Sequence, residues 1–251
     1  MCAVGQPIGD SITEIKERYT LEYVELKRQE LPYEINEEIK LLRTNLQFCG
    51  ADKKVICVTS TVAGEGKSTT VLNLCRSLAE QKKEVLLIDA DLRKSVLWKK
   101  VSMGKIRYGL SHYLSGQCTA GEATCQTNIP GLKIIFSVVV PPNPSELLGN
   151  AGMEELLKAA RKNFDYVIID TPPLGMVVDA AVVAQYCDGA AIVISAGKIS
   201  YRAEQDIVRK LENAQCPVLG AVLNKVDVRK NGKYYGKYYG KYYGKKYEQY
   251  Y

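Results

Sequence analysis

The run STVAGEGKST at 60–69 carries the first chemistry in this chain. Gly64 and Gly66 let a backbone curl closely round a phosphate chain with its N–H groups turned inward. A helix beginning near Lys67 would add the positive end of its dipole. Lys67 is placed to reach β- and γ-phosphates, and the Ser68 hydroxyl to hold Mg²⁺. Ala63, Gly64, Glu65, Gly66, Lys67, Ser68 and Thr69 are therefore the candidate nucleotide-binding loop. The strict pattern G-x(4)-G-K-[ST] asks for glycine at 61, where this chain has Thr61. The surrounding strand–loop–helix pattern is still the one this chemistry needs.

Two apolar runs end in carboxylates. The first continues as DADLR and supplies Asp89, Asp91 and Arg93; the second continues as DTPP and begins with Asp170. Ligands of an open parallel sheet bind beyond the carboxyl ends of its strands. The three aspartates should thus converge beside the loop. Mg²⁺ needs only one or two carboxylates, with waters and phosphate oxygens completing its shell. That leaves one carboxylate to orient or deprotonate a nucleophile. Asn224, in LNKVD, is placed to read the base edge of a nucleotide, and NKVD also fits the NKxD pattern of guanine-specific GTPases.

A candidate acceptor lies at the other end of the chain. The last eighteen residues hold nine of the 17 tyrosines: Tyr234, Tyr235, Tyr238, Tyr239, Tyr242, Tyr243, Tyr247, Tyr250 and Tyr251. The unit KYYG occurs three times between Lys233 and Gly244. Packing does not explain phenol doublets separated by Gly and Lys. Residues 229–251 also carry seven basic side chains against Glu248, which is the whole net charge of +6. The body is neutral, so a nucleic-acid footprint could be sought only in this tail. Having no apolar period, the tail is expected to be disordered.

The elements that must position these groups follow from the apolar pattern. Segments 55–59, 85–89, 166–170, 190–194 and 218–223 read as short strands buried on both faces, as in a parallel sheet. Helical stretches near 67–81, 151–163, 178–185 and 202–214 separate several of them. Ile35, Ile39, Leu42 and Leu46 recur at helical spacing and predict a helix over 34–48. The expected fold is α/β, a doubly wound and mostly parallel sheet with helices on both faces. Its expected divisions are an N-terminal arm at 1–33, a P-loop body at 34–228 and the tail at 229–251. PPNPSELL at 141–148 is expected to be loop, because prolines remove donors and restrict their neighbours.

Composition excludes several classes. Among eight cysteines no CxxC pair occurs, and His112 is the one histidine, so zinc and dithiol redox spacing are absent. Most of the cysteines lie in apolar runs and read as small buried hydrophobes suited to a reducing compartment. No run reaches the ~18 apolar residues of a membrane helix, and the N-terminus lacks a signal pattern.

Taken together, these motifs resemble the bacterial tyrosine kinases, close to the cytosolic type that accompanies capsule and exopolysaccharide operons. That family has a Walker A loop, a second strand ending DxD, a Walker B strand ending DxP and a C-terminal tyrosine cluster. Here these correspond to 60–69, 85–91, 166–172 and 234–251, and RTNLQF at 43–48 and PPNPSELL at 141–148 are similar as well. Two departures stand out. Ala63 occupies a position where the family often has proline. The oligomerisation motif E-x-x-R-x-x-R appears as Glu37, Lys40 and Arg43, and a lysine in the middle cannot form a bidentate fork. The resemblance implies a ring-like homo-oligomer, and Lys40 weakens that expectation.

The resemblance implies ATP-dependent autophosphorylation of the tail, in trans, with phosphorylation of other proteins and regulation of polysaccharide synthesis. Lys67 and the loop amides would hold ATP; Ser68, Asp91 and Asp170 would hold Mg²⁺, directly or through water; Asp89 would orient and deprotonate the phenol. Arg93 could add positive charge, or be a surface residue. Implied partners are a transmembrane adaptor of the polysaccharide chain-length type, sugar-polymer enzymes as substrates, and a cognate tyrosine phosphatase. Nucleic acid is not expected. The location implied is cytoplasmic, peripheral at the inner face of the membrane through the adaptor. The rival is a partition- or division-type ATPase whose basic aromatic tail binds nucleic acid or anionic membrane; phosphotyrosine on the tail separates the two. A scaffold would need neither the GKS nor the aspartates, and a GTPase reading rests on NKVD alone.

Overall fold

The computed structural model describes residues 22–226. The first part of the expected arm, and the tail with all nine of its tyrosines, lie outside the described residues.

In chain order the elements are β1 (Glu22–Leu26), α1 (Tyr33–Phe48), β2 (Val55–Ser60), α2 (Lys67–Glu80), β3 (Val85–Asp89), a 3-10 turn (Leu97–Lys100), β4 (Val101–Met103), α3 (Leu110–Leu114), α4 (Ala120–Ala123), β5 (Thr124–Thr127), β6 (Leu132–Ile135), α5 (Pro144–Leu148), α6 (Ala151–Asn163), β7 (Tyr166–Asp170), α7 (Asp179–Ala184), β8 (Gly189–Ser195), α8 (Tyr201–Asn213) and β9 (Val218–Asn224). The strands form one sheet in the order β4-β1-β5-β6-β3-β7-β2-β8-β9. From β6 to β9 every pairing is parallel. The β5–β6 and β1–β4 pairings are antiparallel.

Alternation along the central strands splits the core between the two faces of the sheet. Ile56, Val58, Val85 and Leu87 pack with Leu72, Leu74 and Leu78 of α2. Val55, Leu86 and Ile88 point the other way, onto Leu156, Leu157 and Ala160 of α6. Cys57 continues that second face towards α7 and α8, against Ala180, Ala184, Ile207 and Leu211. Every residue of β2 and β3 is buried. Burying each such Leu or Ile contributes about 1.5–3 kcal/mol, which holds the strand ends to a fixed geometry.

Three expectations are corrected here. The segment at 218–223 was expected to be buried on both faces, but β9 is the edge of the sheet and is largely half-exposed or exposed. Residues 22–26, expected within the arm, form β1, which pairs with β4 and β5. PPNPSELL is loop only in its first part. Pro144 sits in the first turn of α5, where the missing N–H costs nothing and the fixed φ suits a helix. Of the eight cysteines the seven described are free, and Cys57, Cys75, Cys125 and Cys216 are buried. Among the described residues no helix is long and apolar enough to cross a membrane.

Candidate active site

The loop at 60–69 joins the end of β2 to the start of α2, as the sequence predicts. Gly66 precedes α2 at φ +95 and Gly64 lies at φ +80. Thr61 is not among the positive-φ residues, so the glycine of the strict pattern is not required there. Ala63 and Gly64 are exposed, Gly66, Ser68 and Thr69 half-buried, and Lys67 buried. Among the described residues, the amide N–H groups from Ala63 to Ser68 find no hydrogen-bond acceptor. A Cβ at Gly64 would meet nothing within 4 Å. A row of unpaired amides beside open space at the positive end of a helix suits phosphate oxygens.

What holds the loop open is a residue the sequence placed only as part of its backbone. The Glu65 side chain is buried and folds back as an acceptor. Its Oε2 takes the N–H of Thr61 at 2.8 Å and of Val62 at 2.9 Å, and its Oε1 takes the N–H of Ser195, at the end of β8, at 2.8 Å. Asn224 completes the brace. Its Nδ2 donates to the Glu65 carbonyl at 2.8 Å, and its Oδ1 accepts the N–H of Lys225 at 2.9 Å. Both ends of the amide are thus engaged beside the loop. Asn224, expected to read a base edge, is placed here against the loop, and Asp227 of NKVD, on which the GTPase reading rests, lies outside the described residues. A Cβ at Gly66 would lie 2.1 Å from Asn224 Nδ2, so this glycine is needed for close approach as well as for its φ. Lys225 Nζ also donates to the Gly64 carbonyl. Gly175 lets the segment after β7 pass under the loop, because its Cβ would lie 2.1 Å from the Thr61 carbonyl oxygen.

The acids stand where the strands end. Asp89 and Asp170 are register partners on β3 and β7, and both are buried. Lys67 Nζ donates to Asp170 Oδ1 at 2.7 Å. Asp89 accepts from the Ser95 hydroxyl and from the Ser137 N–H at 3.4 Å. Burial first, and then the charge of Asp170, push the Asp89 carboxyl up to about 8, against the opposing pull of the Ser95 hydrogen bond. Asp91 lies two residues on; its Oδ1 accepts the N–H groups of Arg93 at 3.3 Å and Lys94 at 2.9 Å and so caps the turn.

Arg93 is exposed but not loose. Its Nε and one terminal nitrogen fork onto Asp179, at 2.7 and 2.9 Å, and Ser145 donates to the same carboxylate at 2.6 Å. Burial works to raise the Asp179 pKa, but the hydrogen bonds from Arg93 and Ser145 outweigh it and hold the carboxyl below its usual value. This knot ties the turn after β3 to α5 and α7.

Among the described residues no group of three or more His, Cys, Asp or Glu is arranged to hold a metal. The expected set of Ser68, Asp91 and Asp170 has only two carboxylates. That fits Mg²⁺ bound together with phosphate oxygens, which retains waters. On α1, Lys40 pairs with Glu37 at 2.7 Å. Arg43 turns back onto α2, donating to the Ser77 carbonyl at 3.0 Å and hydroxyl at 2.9 Å. Within the single chain these residues meet intramolecular partners, and the Glu37 and Lys40 side chains stay partly exposed.

Residues 53–218 match the family of AAA domains. Tyrosine-protein kinase CpsD of Streptococcus agalactiae is 44% identical over 191 residues, covering 76% of this chain and 83% of that protein. The solved kinase domain of Escherichia coli tyrosine kinase ETK superposes with a TM-score of 0.72 at 30% identity, covering 84% of this chain and 86% of that one. The septum site-determining protein MinD of Pyrococcus horikoshii, complexed with Mg-ADP, gives a TM-score of 0.61 at 22% identity, covering 69% of this chain and 71% of that one. This last likeness concerns the fold alone.

Proposed function

The chain belongs to the bacterial tyrosine-protein kinases, and on that premise we propose that its own C-terminal tyrosine cluster is the acceptor, phosphorylated in trans by a second copy. The observation that carries this reading is the coincidence, in one chain, of a P-loop lysine and two buried strand-end aspartates with nine tyrosines in the last eighteen residues.

Transfer of a phosphoryl group asks mainly for positioning and charge stabilisation. Lys67 and the unpaired amides from Ala63 to Ser68 hold the phosphates of ATP. Mg²⁺, held by Ser68, Asp91 and Asp170 directly or through water, would draw off negative charge from the phosphate oxygens. Asp89 orients the phenol and takes its proton as the phosphoryl group arrives. In its ionised form a carboxyl raised to about 8 is a stronger base towards a phenol than an ordinary aspartate. The γ-phosphorus–oxygen bond to ADP breaks as the bond to the tyrosine oxygen forms, and the phenolic proton goes to Asp89.

The working division is a kinase body to residue 228, to which β1 adds a strand, and an acceptor tail from 229. A membrane adaptor would bring the kinase to the inner face of the membrane. Enzymes of sugar-polymer synthesis would be further substrates, and a tyrosine phosphatase would reset the tail. Each phosphate adds about −1.5 to −2 charges, so roughly three or four would cancel the basic charge of the tail.

The test is mass spectrometry of the tail from wild-type and Lys67→Met protein after incubation with ATP and Mg²⁺. Wild type is expected to carry phosphotyrosine within 234–251 and the variant none. Undiminished tail phosphotyrosine in the purified variant would overturn the proposal.

A further inference from the structure

Next to Asp89 lies an open pocket of about 690 Å³ that the reaction above does not use. It sits between the 3-10 turn, β4 and the loop after β6. Ser137, whose N–H meets Asp89 Oδ2, forms part of its wall. Its lining includes Trp98, Met103 and Val138, large apolar side chains that stay substantially exposed. Lys27 and Lys99 also line it, and among the described residues no Asp or Glu does. Lys99 Nζ stands 5.8 Å from the centre of the Trp98 ring. An aromatic and thioether surface beside two unopposed ammonium groups, one wall away from the acceptor aspartate, describes a ligand with a ring and an anion.

We infer that this pocket is a docking subsite for phosphotyrosine, occupied by an already phosphorylated KYYG unit from the tail of a second copy. The inference rests on the tail being the acceptor. Charge decides which form of the tail enters. The unmodified tail carries +6 and is repelled by a pocket whose charged lining is lysine. One phosphorylated doublet brings about −3 to −4 charges, enough to reverse the sign locally. The ring of the phosphotyrosine lies against Trp98 and Met103, and its phosphate meets Lys27 and Lys99. Successive doublets are four residues apart, at most ~13–14 Å along an extended chain. A doublet held in the pocket therefore presents the next one within one repeat, towards Asp89. The first phosphate on a tail is slow and the later ones fast. The pocket thus makes phosphorylation of the cluster self-priming.

The test uses the full chain, stripped of phosphate, and two synthetic peptides spanning two KYYG units. One is unmodified and the other is phosphorylated on a single doublet. Fluorescence anisotropy should show the phosphorylated peptide binding at least ten-fold more tightly, and a Lys27→Ala/Lys99→Ala variant losing that preference. In kinase assays the primed peptide should show a lower KM than the unmodified one. The variant should raise the KM of the primed peptide to the unprimed value and leave the unprimed rate unchanged. Trp98→Ala should weaken the phosphorylated peptide while leaving the double-lysine phenotype intact. Equal affinity of the two peptides for wild type, or a preference that survives in the lysine variant, overturns the subsite. So does equal binding of a control peptide with glutamates in place of both phosphotyrosines, since the pocket would then read charge alone. A wild-type protein that phosphorylates no tail peptide yet binds the phosphorylated one through Lys27 and Lys99 would overturn the autokinase reading and leave the subsite standing.

Discussion

Replacing Glu65 by glutamine keeps shape and volume and changes only what the side chain can accept. In the native loop three N–H groups, from Thr61, Val62 and Ser195, end on its two carboxylate oxygens. Glutamine offers one oxygen. Placed at the Oε2 position, it still accepts from Thr61 and Val62, as a neutral group. Its NH₂ then faces the Ser195 N–H, donor against donor. Hydrogen bonds to a charged group contribute about 1.5–3 kcal/mol each and neutral ones about 0.5–1.5, so the two retained bonds weaken by roughly 1 kcal/mol apiece. Stranding the buried Ser195 N–H costs about 1–3 kcal/mol more. Relief from desolvating a carboxylate returns part of this. The net expectation is a loss of about 2–4 kcal/mol, large against a typical domain stability of ~5–15 kcal/mol. Urea denaturation of the nucleotide-free protein measures it. Because the same bonds hold the amides of the loop in place, nucleotide titration should show Kd rising at least about ten-fold, or ~1.4 kcal/mol. A stability change below about 1 kcal/mol together with an unchanged nucleotide Kd would refute the idea that this carboxylate braces the loop.

Two further expectations concern the acids. The Asp89 carboxyl is raised in the folded protein to about 8 from an ordinary value of 3.8, so the fold favours its protonated form. Its contribution to stability is complete below the unfolded value and is lost as pH rises through about 8. Asp89→Asn does not titrate, so its stability relative to wild type should increase between pH 5 and pH 9; denaturation midpoints that move in parallel across that window would contradict the assignment. Arg93→Lys leaves a point charge where a fork now holds both oxygens of buried Asp179. It should cost about 1–3 kcal/mol, the range for a charged hydrogen bond, and thermal or urea unfolding indistinguishable from wild type would show the fork to be idle.

Legibility in the sequence followed the range of the interaction. The loop at 60–69 was readable because ten consecutive residues supply its glycines, its lysine and its helix start. Strands β2, β3, β7 and β8 were readable because burial on both faces makes them continuous apolar runs. Strands β1, β4, β5 and β6 were missed. Segments such as EYVEL, VSM and TCQT are short and mixed, and what makes them strands is the neighbour each pairs with. The brace of the loop was hidden for the same reason in stronger form. Glu65 and Ser195 are 130 residues apart, and Asn224 and Glu65 are 159 apart. No spacing rule connects them. A usable signal was the second role of Gly66: a glycine can mark close approach as well as a positive φ, and here the approaching group is Asn224.

The aspartates show how composition and geometry divide the argument. DADLR and DTPP announce three carboxylates at strand ends, and a sequence can count them. Only the register of β3 against β7 reveals that Asp89 and Asp170 stand opposite each other. Both are buried, and one lysine answers them, in direct contact with Asp170. Burial first, and then the charge of Asp170 beside it, disfavours the ionised form of Asp89, which accounts for where its carboxyl titrates. The balance is therefore poised. A nucleoside triphosphate alone would bring further negative charge to a site where Lys67, the one buried cation among the described residues, is already paired. The same phosphate accompanied by a divalent cation would bring compensation with it, leaving Asp170 to face that cation and Lys67 to meet the phosphate oxygens. On this reasoning nucleotide and Mg²⁺ would bind as a unit, and nucleotide titrated without Mg²⁺ should bind more weakly than with it.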